Sequence, residues 1–394
     1  MYSTATGYTD LGGDAYEYTI NSKVTFDVIN GVAYDKTSHS EETRTTGDGK
    51  ETIITTDITY ERDATGRLLD ATGTRTIKGW TAEVDENDDG TIDEGEGRKY
   101  YEETSALEFE IINGAAEVVK ETTTRKTYDT ETKANLISET TSTTTRTYQI
   151  INGVTKLVDV ETTGKTTFYN DGTYDDTNYP YTEFTTTTHY AYDAKGNILP
   201  MSEVEKKPYD VDEDGTIEEG EYALFDSDGN LITDTNDDGS VVDEALALMS
   251  GSYTVTYSSG IRKGAAGEWV VFVQTELTPF KVENGMAIPL WTYTEYSNNN
   301  LIPDAAVDVL PDPIVQGTVV AIHKVESEAN NVGTKNTATW VIIRDAQGRL
   351  WAYRYFNGLS DIGSISVGDK VEAQGNTMAG EANMVEATVA LKKL

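Results

Sequence analysis

The chain is predicted to be all-β, a large antiparallel meander rich in Thr and Tyr followed by a small β-barrel. Three observations carry this. Runs such as ETIITTDITYER (51–62), ISETTSTTTRTYQII (137–151) and YTEFTTTTHYAYD (181–193) are dense in β-branched and aromatic residues, which suit a half-wet pleated surface. Turn signals recur between these runs. Helical periodicity is nearly absent; one short helix is expected at VVDEALALM (241–249), with Asp243 and Glu244 in an acidic first turn.

The meander is expected over about residues 1–300, closed as a barrel or left as a twisted sheet. Two turns join its strands. Aromatic-x-[VI]-x-Asn-Gly occurs as FDVING ending at Gly31, FEIING at Gly114, YQIING at Gly153 and FKVENG at Gly285. Asn-Gly takes the positive φ angles of a type I′ turn, whose twist matches the flanking strands. Asp-[AS]-x-Gly-[RN]-[LI] occurs as DATGRL (63–68), DAKGNI (193–198), DSDGNL (226–231) and DAQGRL (345–350). There Asp bonds forward to the backbone and Gly supplies the left-handed residue. This second turn resembles the hairpin turn of bacterial YD-repeat surface proteins, but four scattered copies are too few for that family and fit better a long meander that reuses good turns.

A connector follows at 301–313, where SNNNLIPDAAVDVLPDP (297–313) holds Pro303, Pro311 and Pro313. Of 68 acids and 31 bases, net −37, nearly the whole excess precedes it: from Asp312 on, nine acids meet eight bases. Residues 314–394 read as strands IVQGTVVAIHKVESEA, ATWVIIRDAQGRLWAYRYF, VGDKVEAQGNTM and NMVEATVALKKL. This order, with a Gly368-Asp369 turn into the strand Lys370–Gln374, resembles an OB-fold. The resemblance implies a barrel that binds an oligonucleotide or oligosaccharide on one face. Trp351, Tyr353, Tyr355 and Phe356 are its candidate stacking residues. Trp351, Tyr353 and Tyr355 alternate on one strand face, however, and such a face is more often barrel core.

The chemistry-bearing signal is acidic and local. Residues 85–96 read DENDDGTIDEGE and 210–221 read DVDEDGTIEEGE, both fitting a twelve-residue calcium loop. Calcium takes six to eight oxygens, and alternate side chains of a tight loop converge on one point. In the first loop Asp85, Asn87 and Asp89 offer side-chain oxygens and Gly90 allows the bend. Thr91 gives its carbonyl, Asp93 acts directly or through water, and Glu96 closes the site. In the second these roles fall to Asp210, Asp212, Asp214, Gly215, Thr216, Glu218 and Glu221. A third, weaker match, DTNDDGSVVDEA (234–245), keeps Asp234, Asn236, Asp238, Gly239 and Ser240 but has Ala245 at position twelve; Asp243 is its substitute carboxylate. The loops resemble those of EF-hands, yet strand-like flanks stand where the EF-hand has helices. In this they are similar to helix-less loops of dockerin-like and thrombospondin-like extracellular modules. The resemblance implies a structural Ca²⁺ ion in each rather than a sensor, because a sensor works by reorienting helices.

The same residues exclude other classes. The acidic charge opposes nucleic acid and an anionic membrane surface, and no run of 18 apolar residues encodes a transmembrane helix. An outer-membrane barrel is disfavoured because Thr, Glu and Lys occupy both strand faces. Zero Cys and three scattered histidines (His39, His189, His323) supply little acid–base chemistry, and no nucleophile, P-loop or dinucleotide motif appears. A non-enzymatic chain is expected. The N-terminus has no leader-like segment, which fits a cytosolic protein or a mature secreted one; calcium favours an extracellular, cell-surface location. The expected role is structural or adhesive, as a filament subunit or surface lipoprotein that joins itself or other surface proteins by strand addition, at exposed strand edges or near Ala15–Thr25. The alternative is a secreted module whose OB-like barrel recognises a glycan or other extracellular polymer.

Overall fold

The computed structural model of the chain describes residues 1–9, 16–46, 49–81, 97–173, 178–209, 222–233, 241–264, 269–300, 309–310, 314–326, 337–346, 350–356, 359, 362–378 and 384–394. They form two compact units, Met1–Gly172 and Thr173–Leu394. The expected connector 301–313 lies mostly outside the described residues. The architecture is all-β, with a long antiparallel meander and a small barrel towards the C-terminus.

The first unit is a nine-stranded meander: β1 (Tyr2–Thr9), β2 (Tyr16–Ile29), β3 (Val32–Thr46), β4 (Glu51–Arg62), β5 (Leu68–Trp80), β6 (Tyr100–Ile112), β7 (Ala115–Tyr128), β8 (Leu136–Ile151) and β9 (Val154–Phe168). Each strand pairs antiparallel with the next. No pairing of β1 with β9 closes it among the described residues, so it is an open sheet and not a barrel. Tyr16–Val24 lies in β2 and is paired on both sides, so of the two expected places for strand addition the N-terminal segment is taken up by the chain's own pairing, and among the described residues β1 is paired on one side only.

Local chemistry sets the hairpins. Asn30, Asn113 and Asn152 sit at φ 54°, 52° and 50°, each followed by a glycine at φ 77–83°. This is the type I′ geometry their sequence predicts. The aromatic of the motif has a structural reason. Each hairpin carries a β-bulge, leaving Lys36, Val119 or Val158 unpaired five residues past its glycine, next to pairs made by Phe26, Phe109 and Tyr148. A bulge sharpens the right-handed twist of the strand it interrupts. Neighbouring tips also touch: Asn30 Nδ2 donates to Ala64 O (3.3 Å) and Asn113 Nδ2 to Gly153 O (3.0 Å). At the other turn type, Asp63 Oδ1 accepts from the backbone of Thr65 (2.8 Å) and Arg67 (3.0 Å), and Asp193 and Asp226 do the same.

Cross-strand pairs hold this sheet together. Hydroxyls meet at Thr25–Thr37, Ser105–Thr123, Thr140–Thr166 and Thr144–Thr162, and Arg44, Arg62 and Arg125 lie over Tyr16, Tyr34 and Tyr101. Each such pair contributes a fraction of a kcal/mol, up to about 1. Both hydrophobic clusters found among the described residues lie in the second unit.

The second unit contains β10 (Tyr181–His189), the hairpin β11 (Val204–Pro208) and β12 (Tyr222–Asp226), helix α1 (Val241–Leu248), β13 (Tyr253–Lys263), β14 (Trp269–Glu283), β15 (Met286–Pro289), β16 (Tyr293–Asn300) and β17 (Val309–Leu310). β18 (Ile314–Glu326), β19 (Thr337–Asp345), β20 (Leu350–Phe356), β21 (Lys370–Met378), β22 (Met384–Ala387) and β23 (Lys392–Lys393) complete it. β10, β13, β14 and β16 make one antiparallel sheet. The barrel closes in the order β18-β19-β20-β22-β21 and back to β18, with β20 and β22 parallel. This is a five-stranded Greek-key barrel of the OB type. A bulge between Val319 and Ala321 bends β18. Gly317 gives that strand room, since a Cβ there would strike the Arg344 carbonyl.

The barrel buries both faces of β19 and β20. Val341, Ile343, Trp351, Tyr353 and Tyr355 fill its interior with Val371 and Val385. Trp340, Ile342, Leu350 and Ala352 point the other way, into a cluster with Leu224, Val242, Tyr257, Ile261, Val271 and Leu277. Barrel, helix and sheet therefore share one core.

Candidate functional site

The two stronger of the expected calcium loops, with Asp85, Asn87, Asp89, Thr91, Asp93 and Glu96 in one and Asp210, Asp212, Asp214, Thr216, Glu218 and Glu221 in the other, lie outside the described residues. So do Asp234, Asn236, Asp238 and Ser240 of the third. Their flanks are described. β5 enters the first loop and β6 leaves it. Trp80 pairs with Tyr100 at the stem, Thr81 N donates to Lys99 O (2.9 Å), and Lys99 N donates to Thr81 Oγ1 (2.9 Å). The second loop joins β11 to β12, and Pro208 pairs with Tyr222 at its base. Both loops thus rise from antiparallel strand stems, as the flanking sequences predict. Among the described residues no group of three or more acidic or histidine side chains is placed to hold a metal ion.

The third loop leads into α1, whose first turn carries Asp243 and Glu244 as expected. Val242 N donates to Glu295 Oε1 (2.9 Å), and the Tyr257 hydroxyl donates to Asp243 Oδ1 (2.9 Å). Burial and the Asp243 carboxylate push the Tyr257 phenol far above its ordinary value, so it stays a donor. Ala245, the twelfth loop position, is fully buried in the shared core.

The barrel aromatics do not form a stacking surface. Trp351, Tyr353 and Tyr355 are at most 1 % exposed; Trp351 Nε1 donates to Asp345 Oδ2 (3.0 Å), and burial pushes the Tyr355 phenol up. They are core, the favoured one of the two readings of that strand face, while Phe356 is half-buried. The outward face of β19 and β20, where OB-folds customarily bind, is packed against the chain's own sheet and helix.

Two polar clusters escaped the sequence reading. Glu121 on β7 is buried at 5 % exposure and accepts from Arg75 Nη2 (2.5 Å) and Arg146 Nη2 (2.9 Å), with Glu103 3.6 Å from Arg75. Burial alone would raise the Glu121 carboxyl; the Arg146 hydrogen bond and the Arg75 charge outweigh it and hold it low. In the second unit, the buried Tyr181 hydroxyl lies 2.7 Å from His323 Nδ1. Only pairing register could reveal the first, since Arg75 and Glu121 are 46 residues apart.

No family model matches the chain, and no curated protein matches it. A solved structure described as the crystal structure of TcdB2-TccC3-Cdc42 aligns at 12 % identity and a TM-score of 0.11. That alignment covers all of this chain and 18 % of that chain.

Proposed function

We propose that the chain is a calcium-stabilised structural or adhesive protein of the cell surface, a filament subunit or surface lipoprotein. The observation that carries this reading is the pair of strand stems under the two acidic loops. An ion gripped at the end of a rigid hairpin locks that hairpin, whereas switching requires helices free to reorient. Helix-less loops of this kind belong to extracellular modules whose affinities match millimolar calcium. A sheet built from cross-strand pairs suits a scaffold.

Scanning calorimetry with millimolar calcium and with EDTA tests the reading. Calcium at a hundredfold excess over Kd adds about 2.7 kcal/mol per site, so melting should rise clearly with the ion. Identical melting in both buffers, with no calcium taken up in titration calorimetry, would overturn it.

A further inference from the structure

We infer that β1 is a self-complementary edge through which two copies of this chain pair antiparallel. The inference rests on the structural reading above and names its partner. Met1 N donates to Val24 O (2.7 Å) and Val24 N to Met1 O (2.9 Å), so this is a doubly bonded pair. Such pairs alternate along an antiparallel ladder, and the register Ser3↔Ser22, Ala5↔Ile20, Gly7↔Tyr18 continues them. The backbone groups of Tyr2, Thr4, Thr6 and Tyr8 therefore face away from β2. Among the described residues no strand pairs with that edge.

Natural edge strands are blunted by charge, proline or brevity. β1 has none of these devices: YSTATGYT is eight residues without a charge or a proline, and residues 2–6 are exposed. Its sequence also reads alike in both directions about Ala5, as Tyr-small-Thr-Ala-Thr-small-Tyr. Bonded pairs across a two-fold axis must join even-numbered residues, and a centre at Ala5 forms the most of them. Tyr2 then pairs with Tyr8 of the second copy and Thr4 with Thr6, while Ala5 meets its own counterpart. Thr against Thr is the pairing this sheet already uses at Thr25–Thr37, Thr140–Thr166 and Thr144–Thr162. The contact is isologous and so closes at a dimer.

Sedimentation velocity and disulfide trapping on the full chain test this. The expected species at high micromolar concentration has twice the 43.2 kDa chain mass. Thr6→Pro removes an outward N–H and no bond to β2, so it should give a monomer with unchanged melting. If that variant melts low, the double variant Thr4→Lys/Thr6→Lys, which sets lysines against each other across the axis, should dissociate the dimer instead. The chain has no cysteine, so any disulfide reports the introduced thiol. Ala5→Cys sits at a non-bonded pair with Cα atoms about 4.5 Å apart, within disulfide reach, and should give a covalent dimer on mild oxidation. Ser3→Cys faces Gly7 of the second copy and should not.

Each of four results overturns the pairing: a monomer at every concentration, a dimer untouched by both edge variants, trapping at Ser3→Cys as efficient as at Ala5→Cys, or an open-ended series of larger species. A monomer whose melting still rises with calcium overturns this inference alone. A dimer whose melting ignores calcium overturns the calcium-stabilised reading and leaves the pairing standing.

Discussion

The Arg75 guanidinium on β5 reaches across β6 to the Glu121 carboxylate on β7, closing to 2.5 Å. Arg146 on β8 holds the other carboxylate oxygen at 2.9 Å, so one acid on β7 ties β5 to β8. Glu121→Gln should destabilise the chain by about 2 kcal/mol, because Arg146 then loses its carboxylate and Arg75 keeps only Glu103 at 3.6 Å. The figure sits below that for a fully buried pair because the Arg75 side chain is 36 % exposed. Replacing all three with apolar residues of similar volume should cost much less. Urea unfolding of the two variants checks both values.

The same carboxyl has a pH signature. Its folded pKa is held below the ordinary carboxylate value, so its contribution is full above the unfolded pKa of about 4.3. It is lost as pH falls through the lower folded value. Wild type and Glu121→Gln should differ in melting at pH 6 and converge in strong acid. A gap that stays constant down the acid limb would show that Glu121 does not act through its charge.

Calcium stoichiometry should follow the twelfth loop positions. Glu96→Gln and Glu221→Gln should each remove one equivalent of bound calcium in titration calorimetry, since a bidentate carboxylate closes such loops. Asp243→Asn keeps an acceptor for the Tyr257 hydroxyl while removing the charge. It should abolish a third equivalent and leave the first two intact.

Excision of the barrel should expose what its outer face covers. Residues 314–394 alone would present Trp340, Ile342, Leu350 and Ala352, all buried in the whole chain. That fragment should bind a hydrophobic dye and self-associate, and Trp340→Ala in the full chain should cost about 3–5 kcal/mol. Calorimetry of the full chain should show barrel and β10/β13/β14 sheet melting together.

Much of this architecture was legible because it is local. Asn113-Gly114 must turn in the positive-φ region whatever surrounds it, and Asp63 caps its own loop within four residues. The small C-terminal barrel was legible through its resemblance to an OB-fold, carried by the order of its strands and its Gly368-Asp369 turn. Pairing hid the rest. The bulges beside Phe26, Phe109 and Tyr148 were hidden, because a bulge exists only once two strands meet; the fourth Asn-Gly turn, after Phe280, has none. Which strand would stand at the edge was hidden too, because it depends on the pairing order. The outer face of β19 did leave a trace: in ATWVII the apolar residues run without alternation, the pattern of a strand covered on both sides. The third loop was legible only in part, since Ala245 gives no sign in sequence that it belongs to a core.

The first unit's reliance on pairs between neighbouring strands has a consequence for how such a chain can vary. A domain built around an interior has a volume to fill, and removing one element leaves a hole. Here a whole hairpin such as β8–β9, with its Asn-Gly tip and its own bulge, brings its contacts with it. Adding or deleting one would change the span by two strand spacings, about 9–10 Å, with no void to repack. The meander can be lengthened or shortened in fixed steps, as a ruler is, while the barrel-bearing unit stays as it is.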